Sequence, residues 1–233
     1  MPSWVVPIFP QAAVPTVGDE RSFPVRRILC VGRNYAAHRR EMGGDDRDPP
    51  FFFSKPADAV VPLGGPIAYP AATGDLHHEV ELVAALGAGG ADVAVADALR
   101  LVFGYGVGVD LTRRDLQSAA KAKAQPWEAA KGFDQSAPIS AIRPLSGHAP
   151  SGRIWLSVNS QVRQDAPLTD MIWNVAEIIA QASRLWRLAA GDLIFTGTPE
   201  GVGPLVRGDK VHAEIESVES LDFTIVGRTS EGG

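Results

Sequence analysis

The sequence predicts a β-dominated α+β protein whose chain forms one domain after residue 25. Three observations carry that prediction. Apolar or alternating runs of about four to eight residues recur along the chain, bounded by turn-forming residues that include 24 glycines and 18 prolines. Only one stretch, Asp170 to Trp186, reads as a long amphipathic helix, with Ile172, Val175, Ile179, Ala182 and Trp186 on its apolar face. No internal repeat and no linker interrupts residues 26–233.

Composition narrows the function. The chain of 233 residues is 45% hydrophobic and 21% charged, which is ordinary for a globular protein with a proper core. A net charge of −5 with scattered basic residues argues against a nucleic-acid or anionic-membrane surface. The single cysteine, Cys30, excludes an internal disulfide and a multi-cysteine zinc site and fits a reducing cytoplasm. Its setting in Arg27–Val31 makes it a buried core residue. The opening MPSWVVPIFPQ has no basic region, and no apolar run approaches the span of a bilayer, so neither signal peptide nor membrane helix is expected.

Taken in order, residues 1–25 are proline-rich and aperiodic, as in an extended arm. Arg27 to Val31 reads as a buried strand, followed by a short helix from Ala36 to Met42 with Asn34 as its N-cap. His38 and Glu41 share one face of that helix; they suit a general base and its orienting carboxylate, or equally a solvated pair beside Arg39 and Arg40. Asp45 to Pro50 is a polar loop. Phe51, Phe52 and Phe53 form either core or a pocket wall, and Lys55 either points inward or snorkels. Val60 to Tyr69 is broken by prolines and glycines.

The chemistry concentrates in Leu76 to Leu86. In a strand, residues two apart face the same side, so Glu79 and Glu81 converge inside an apolar element. Either a hard cation such as Mg²⁺, Mn²⁺ or Ca²⁺ neutralises them, or they lie on a wet edge. Asp97 to Phe103 suggests a short helix and Tyr105 to Leu111 a glycine-rich strand, in which glycines mark close backbone approach rather than a dinucleotide fingerprint. Asp110 ends that strand as a third carboxylate, and Thr112-x-x-Asp115 looks like a capping box. Arg114, Gln117 and Lys121 then follow one helical face, solvated or functional. Residues 126–134 read as a loop, Ile154–Val158 as a hairpin strand turning at Asn159-Ser160, and Leu193–Thr196 as a strand. The glycine loop Gly197–Gly203 offers backbone N–H groups for an anion, and Val211–Val218 and Leu221–Val226 close the chain as strands.

Seven stretches, in order and in register, resemble the fumarylacetoacetate hydrolase family: Gly32-Arg33-Asn34-Tyr35 with His38-x-x-Glu41, Phe53-Ser54-Lys55-Pro56, His78-Glu79-x-Glu81-Leu82, Gly108 to Gln117, Lys131-Gly132-Phe133-Asp134, Asn159, and Thr196 to Gly203. The resemblance covers about residues 24 to 227. It implies a mixed β-sandwich roll with peripheral helices, usually a homodimer, with one Mg²⁺ or Mn²⁺ per subunit and a small β-diketo acid as substrate. By the same resemblance Glu79, Glu81 and Asp110 match the metal ligands, His38 and Glu41 the water-activating pair, and Lys131 the lysine near the reacting oxygens. Arg114, Gln117 and Thr196 match positions that contact substrate, and Tyr35 is counted with them; a substrate with two carboxylates would need a second cationic anchor, for which Arg33, Lys55 and Arg114 are the candidates. The family chemistry so implied is hydrolysis of a carbon–carbon bond in an acylpyruvate. Within the family, the single-domain length and Pro50 to Ala59 look most like the fumarylpyruvate hydrolases of gentisate breakdown, giving fumarate and pyruvate. An oxaloacetate decarboxylase or general acylpyruvase, an isomerase or hydratase, and a non-catalytic binding protein are the competing expectations. Residues 43–50 are a candidate lid.

Overall fold

The run Val80–Leu86 is buried at every position, so it needs apolar partners on both faces. The fold supplies them. The computed structural model describes residues 4–35 and 48–227. Among these, the strand sits inside an eight-stranded sheet in the order Phe51–Lys55, Arg27–Gly32, Asp192–Phe195, Val80–Leu86, Val102–Val109, Ala137–Ile139, Val60–Pro62, with Arg143–Pro144 also paired to Val102–Val109. The sheet is mixed: Asp192–Phe195 runs parallel to Arg27–Gly32, whereas Val80–Leu86 is antiparallel to both neighbours.

Alternation along Val80–Leu86 divides its side chains between two cores. Val80, Leu82, Ala84 and Leu86 enter the larger, shared with a five-stranded sheet and the helix Val175–Leu185. Val83 and Ala85 enter the smaller, with Ile28, Cys30, Leu193 and Phe195. Glu81 has the parity of Val83 and Ala85, so the strand itself aims it toward the smaller core's side of the sheet. The five-stranded sheet runs Gln161–Pro167, Arg153–Val158, Lys210–Ile215, Glu219–Val226, Gly65–Ala68, and a three-stranded one joins Thr112–Arg113, Leu76–His78 and Gly203–Leu205. This is the β-dominated roll with peripheral helices that the sequence predicts.

Two local expectations hold for clear reasons. Asn159 and Ser160 both take positive φ, 51° and 66°, the backbone of a tight hairpin turn. A Cβ on Gly104 would lie 2.3 Å from the Arg143 carbonyl oxygen, so the close approach of a neighbouring backbone demands glycine there.

Other segments differ from the sequence reading. Residues 13–24, expected within an extended arm, form a hairpin of Ala13–Thr16 and Asp19–Pro24. One apolar side chain per strand, Val14 and Phe23, anchors it in the smaller core. The proline- and glycine-broken stretch 60–69 contributes two short strands, Val60–Pro62 and Gly65–Ala68. The Thr112 capping box does not form: the helix Arg114–Ala122 has no side-chain cap, and the Thr112 hydroxyl is taken by Asp110 O and Lys131. Residues 128–131, read as loop, make one helical turn. The long helix starts at Val175 rather than Asp170, because Asn174 and Glu177 close a reciprocal capping box there. The expected helix Ala36–Met42, with His38 and Glu41, lies outside the described residues, as do 43–47 of the candidate lid. Asn34 spends its amide elsewhere, donating to Trp173 O and Thr196 O and accepting from Trp173 N–H. Among the described residues no helix is long and apolar enough to cross a membrane.

Candidate metal centre

Backbone pairing brings the three carboxylates together. Val80 pairs with Val109 and Glu81 with Gly108, and the Asp110 amide donates to Glu79 O at 2.8 Å. Glu79 and Asp110 therefore sit just past the ends of adjacent strands, with Glu81 one pleat inside. Oxygens of Glu79, Glu81 and Asp110 lie within 4.8 Å of one another, all buried. Oxygens that share one divalent cation at about 2.0–2.6 Å stand at most about 4–5 Å apart, so the spacing suits a hard ion.

Three cations surround these three carboxylates. Lys131 Nζ donates to Glu79 Oε2 at 2.8 Å, Asp110 Oδ2 at 2.6 Å and the Thr112 hydroxyl at 2.6 Å. Lys55 Nζ lies 2.8 Å from Asp110 Oδ1 and donates to the carbonyls of Leu111 and Lys131. Arg114 pairs with Glu79 and, through its other terminal nitrogen, with Gln117 Oε1 at 2.5 Å. Burial opposes charge on both Glu79 and Lys131. The Lys131 and Arg114 cations nevertheless hold Glu79 far below its usual range, and Asp110 and Glu79 raise Lys131 above its own.

Glu81 is the exception. Among the described residues no cation reaches it; its one partner is the Gly197 N–H, 2.7 Å from Oε2. Burial, then the charges of Asp110 and Glu79, push its pKa well above the ordinary carboxylate value. A buried carboxylate flanked by two others and met by one amide is a setting whose charge a divalent cation would balance, and an all-oxygen donor set selects a hard one. The residues fit the ion.

A cavity opens onto this cluster, lined by Gly32, Arg33, Phe53, Glu79, Glu81, Arg114, Gln117, Lys121, Trp127, Lys131 and Thr198. The helix Arg114–Ala122 points Arg114, Gln117 and Lys121 into it from one face, as their spacing predicts. Of the positions expected around a substrate, Arg33, Arg114 and Gln117 line the cavity. Lys55 stands behind the carboxylates, its ammonium fully enclosed. Tyr35 is buried in the larger core, its hydroxyl without a partner among the described residues. The Thr196 hydroxyl donates to Leu82 O at 2.9 Å, and it is Thr198 that reaches the cavity.

The phenylalanine run turns out to serve as both core and wall. Phe52 packs against the larger core and Phe53 against the smaller, while Phe53 also lines the cavity beside Trp127. Residues missed from sequence include Gln164, fully buried on Gln161–Pro167. Its Oε1 accepts from Val80 N–H and meets His78 Nδ1, and its amide donates to the Thr198 hydroxyl and Pro199 O. Burial lowers the His78 pKa to about 4, so this network is neutral and ties the glycine loop to the strand that carries Glu81. A glutamine on the same parity as Ala166, the strand's buried apolar residue, was the available signal.

Comparison with known proteins gives the same picture. Residues 27–226 match the fumarylacetoacetate (FAA) hydrolase C-terminal family. The mitochondrial oxaloacetate tautomerase of Mus musculus is 42% identical over 204 residues, 86% of this chain and 91% of that one. The oxaloacetate tautomerase of Escherichia coli (strain K12) is 42% identical over 192 residues, 81% of this chain and 88% of its own. The crystal structure of fumarylpyruvate hydrolase from Pseudomonas aeruginosa, in complex with Mn²⁺ and pyruvate, superposes with a TM-score of 0.94 at 46% identity, covering 97% of this chain and all of that one.

Proposed function

The chain belongs to the fumarylacetoacetate hydrolase family, and from that premise we propose that it is a divalent-cation-dependent enzyme acting on a 2-oxo dicarboxylate, with oxaloacetate as the leading substrate. The observation that carries this reading is the buried Glu79, Glu81 and Asp110 triad facing a cavity whose other charged lining is cationic. Keto–enol interconversion and decarboxylation of oxaloacetate share one demand: negative charge develops on the 2-oxo oxygen and must be held. Mg²⁺ or Mn²⁺ on the triad would supply Lewis-acid stabilisation of that charge. Lys131, kept protonated by its carboxylate partners, holds a positive charge at the same place. Arg114 and Gln117, linked to each other, form a fork that orients the substrate carboxylate. Thr196 and Tyr35 shape the site from behind, and Lys55 steadies Asp110. The family relatives called oxaloacetate tautomerases support this choice of substrate.

Hydrolysis of fumarylpyruvate, as in gentisate breakdown, is the second reading, favoured by the likeness to the Pseudomonas aeruginosa fumarylpyruvate hydrolase. It uses the same oxygen-holding groups and adds an activated water, for which His38 with Glu41 is the proposed base. Under either reading the enzyme works as a homodimer in the cytoplasm, and the buried thiol of Cys30 suits that compartment.

Steady-state turnover of oxaloacetate, fumarylpyruvate and acetylpyruvate with Mg²⁺ and Mn²⁺, repeated with chelator, tests the proposal. The expected result is the highest kcat/KM for oxaloacetate, lost on chelation. A clear advantage for fumarylpyruvate would install the hydrolase reading, and turnover indifferent to chelator would sink both. Substituting His38 by Ala separates the two chemistries further. It should suppress acylpyruvate cleavage while divalent-ion binding, read calorimetrically, stays intact; a collapse of ion binding would instead make His38 a ligand.

A further inference from the structure

The cavity holds more positive charge than the metal site uses. Arg114 and Lys131 are committed to Glu79 and Asp110, and Lys55 to Asp110. Arg33 and Lys121 line the same cavity, yet among the described residues neither meets a carboxylate. Each rests on an aromatic face instead: the Arg33 guanidinium lies 5.9 Å from the Phe51 ring centre, and Lys121 Nζ 5.0 Å from that of Trp127. Phe51 and Trp127 in turn pack edge to face at 5.1 Å, so one aromatic pair carries both cations.

Resting on the 2-oxo acid reading above, we propose that Arg33 and Lys121 form a second anion subsite, which takes the substrate carboxylate remote from the metal triad and makes the enzyme selective for 2-oxo diacids. Several features favour an anion here. Arg33 Nε is buried with no hydrogen-bond partner among the described residues, a cost that a bound carboxylate removes. Burial, followed by the neighbouring Arg114 and Arg33 charges, brings the Lys121 pKa down to about 8, as befits an ammonium crowded by cations and awaiting a counter-charge. The helix supplies the spacing. Gln117 and Lys121 lie one turn apart on Arg114–Ala122, so a ligand oriented by the Arg114–Gln117 fork extends one turn along the helix to reach Lys121.

The sharpest test compares two ligands with the same head. Pyruvate has the 2-oxo carboxylate alone, and 2-oxoglutarate adds a distal carboxylate. Calorimetric titration of the Mn²⁺-loaded protein should show 2-oxoglutarate binding about tenfold tighter, the worth of one charge-assisted contact. Lys121→Met should erase that advantage and leave pyruvate affinity unchanged, Lys121→Arg should retain it, and Arg33→Gln should reduce it. Loss of affinity for both ligands alike in Lys121→Met would overturn the subsite, as would equal binding of the two by the unsubstituted protein. If pyruvate itself fails to bind the loaded protein, the 2-oxo acid reading falls with it, which keeps the two failures apart.

Discussion

Glu81→Gln should make the metal-free protein more stable and the metal-loaded protein unattainable. In the chelated chain Glu81 is a buried carboxylate beside Asp110 and Glu79, with one amide hydrogen bond and no cation. Glutamine keeps the acceptor for Gly197 N–H and turns two new donors toward the neighbouring carboxylates. Relief of a poorly compensated buried group is worth on the order of 1–3 kcal/mol, and each kcal/mol moves Tm by about 2–4 °C for a chain of this size. Divalent-ion affinity should fall by more than about 100-fold, because even the groups that merely support a ligand are worth about 10–100-fold. Thermal denaturation with and without Mg²⁺ reads both effects. A lower Tm in chelator would mean that Glu81 is already compensated, and an undiminished Mg²⁺-dependent rise would remove it from the metal shell.

The pH dependence of the chelated protein follows from the same group. The folded pKa of Glu81 is raised, so the native state binds its proton more tightly than the unfolded chain does. Its contribution to stability is complete below the unfolded value near 4.5 and is lost as pH rises through the folded pKa. Glu79 works the other way: its folded pKa is depressed, and its contribution is present above the unfolded value near 4.5 and lost in acid. His78, whose pKa burial brings down to about 4, opposes Glu81 up to its unfolded value near 6.5. The Glu81 part is therefore read as a difference: in chelator the stability gained by Glu81→Gln over the unsubstituted protein should grow as pH rises above 4.5, and an unchanging difference would show that Glu81 does not titrate there.

The convergence of the three carboxylates was legible in the sequence because strand geometry is short-range. Glu79 and Glu81 must share a face, and Asp110 must end its strand, whatever the rest of the chain does. The groups that give those carboxylates their properties were not legible, since each arrives from a distant segment. Nothing within five residues of Lys55 says that its ammonium ends on Asp110. The Thr112 hydroxyl fits a capping pattern locally and loses to Lys131, 19 residues away. Lys121 follows Arg114 and Gln117 on a helical face, but periodicity cannot tell that Trp127 turns that face into a cavity wall. The hairpin at 13–24 escaped for a different reason: four of the six residues of Asp19–Pro24 are exposed polar groups, and one buried phenylalanine leaves no period to read.

Lys131→Met reverses the sign of the Glu81 result. Lys131 is enclosed by Glu79, Asp110 and Thr112 at 2.6–2.8 Å, and its removal strands two carboxylates in a buried site that already holds a third. Breaking a buried ion pair from one side costs about 3–5 kcal/mol, so the metal-free variant should melt about 6–20 °C lower. A divalent ion brings positive charge to the same oxygens, so saturating Mg²⁺ should recover part of that loss, and the Mg²⁺-dependent rise in Tm should exceed that of the unsubstituted protein. Turnover should not recover. The buried positive charge that faces developing charge on the substrate oxygen is gone, a loss of about 10²–10³ in kcat, with KM changing far less. Lys131→Arg serves as the control for charge alone. The guanidinium keeps the cation, yet it is too broad for a cage that closes on a single nitrogen from three sides. It should preserve more of the stability than of the rate. Full turnover in metal-loaded Lys131→Met would reduce Lys131 to a structural counter-charge, and an unchanged Tm in chelator would mean that Glu79 and Asp110 are neutralised by Lys55 and Arg114 without it.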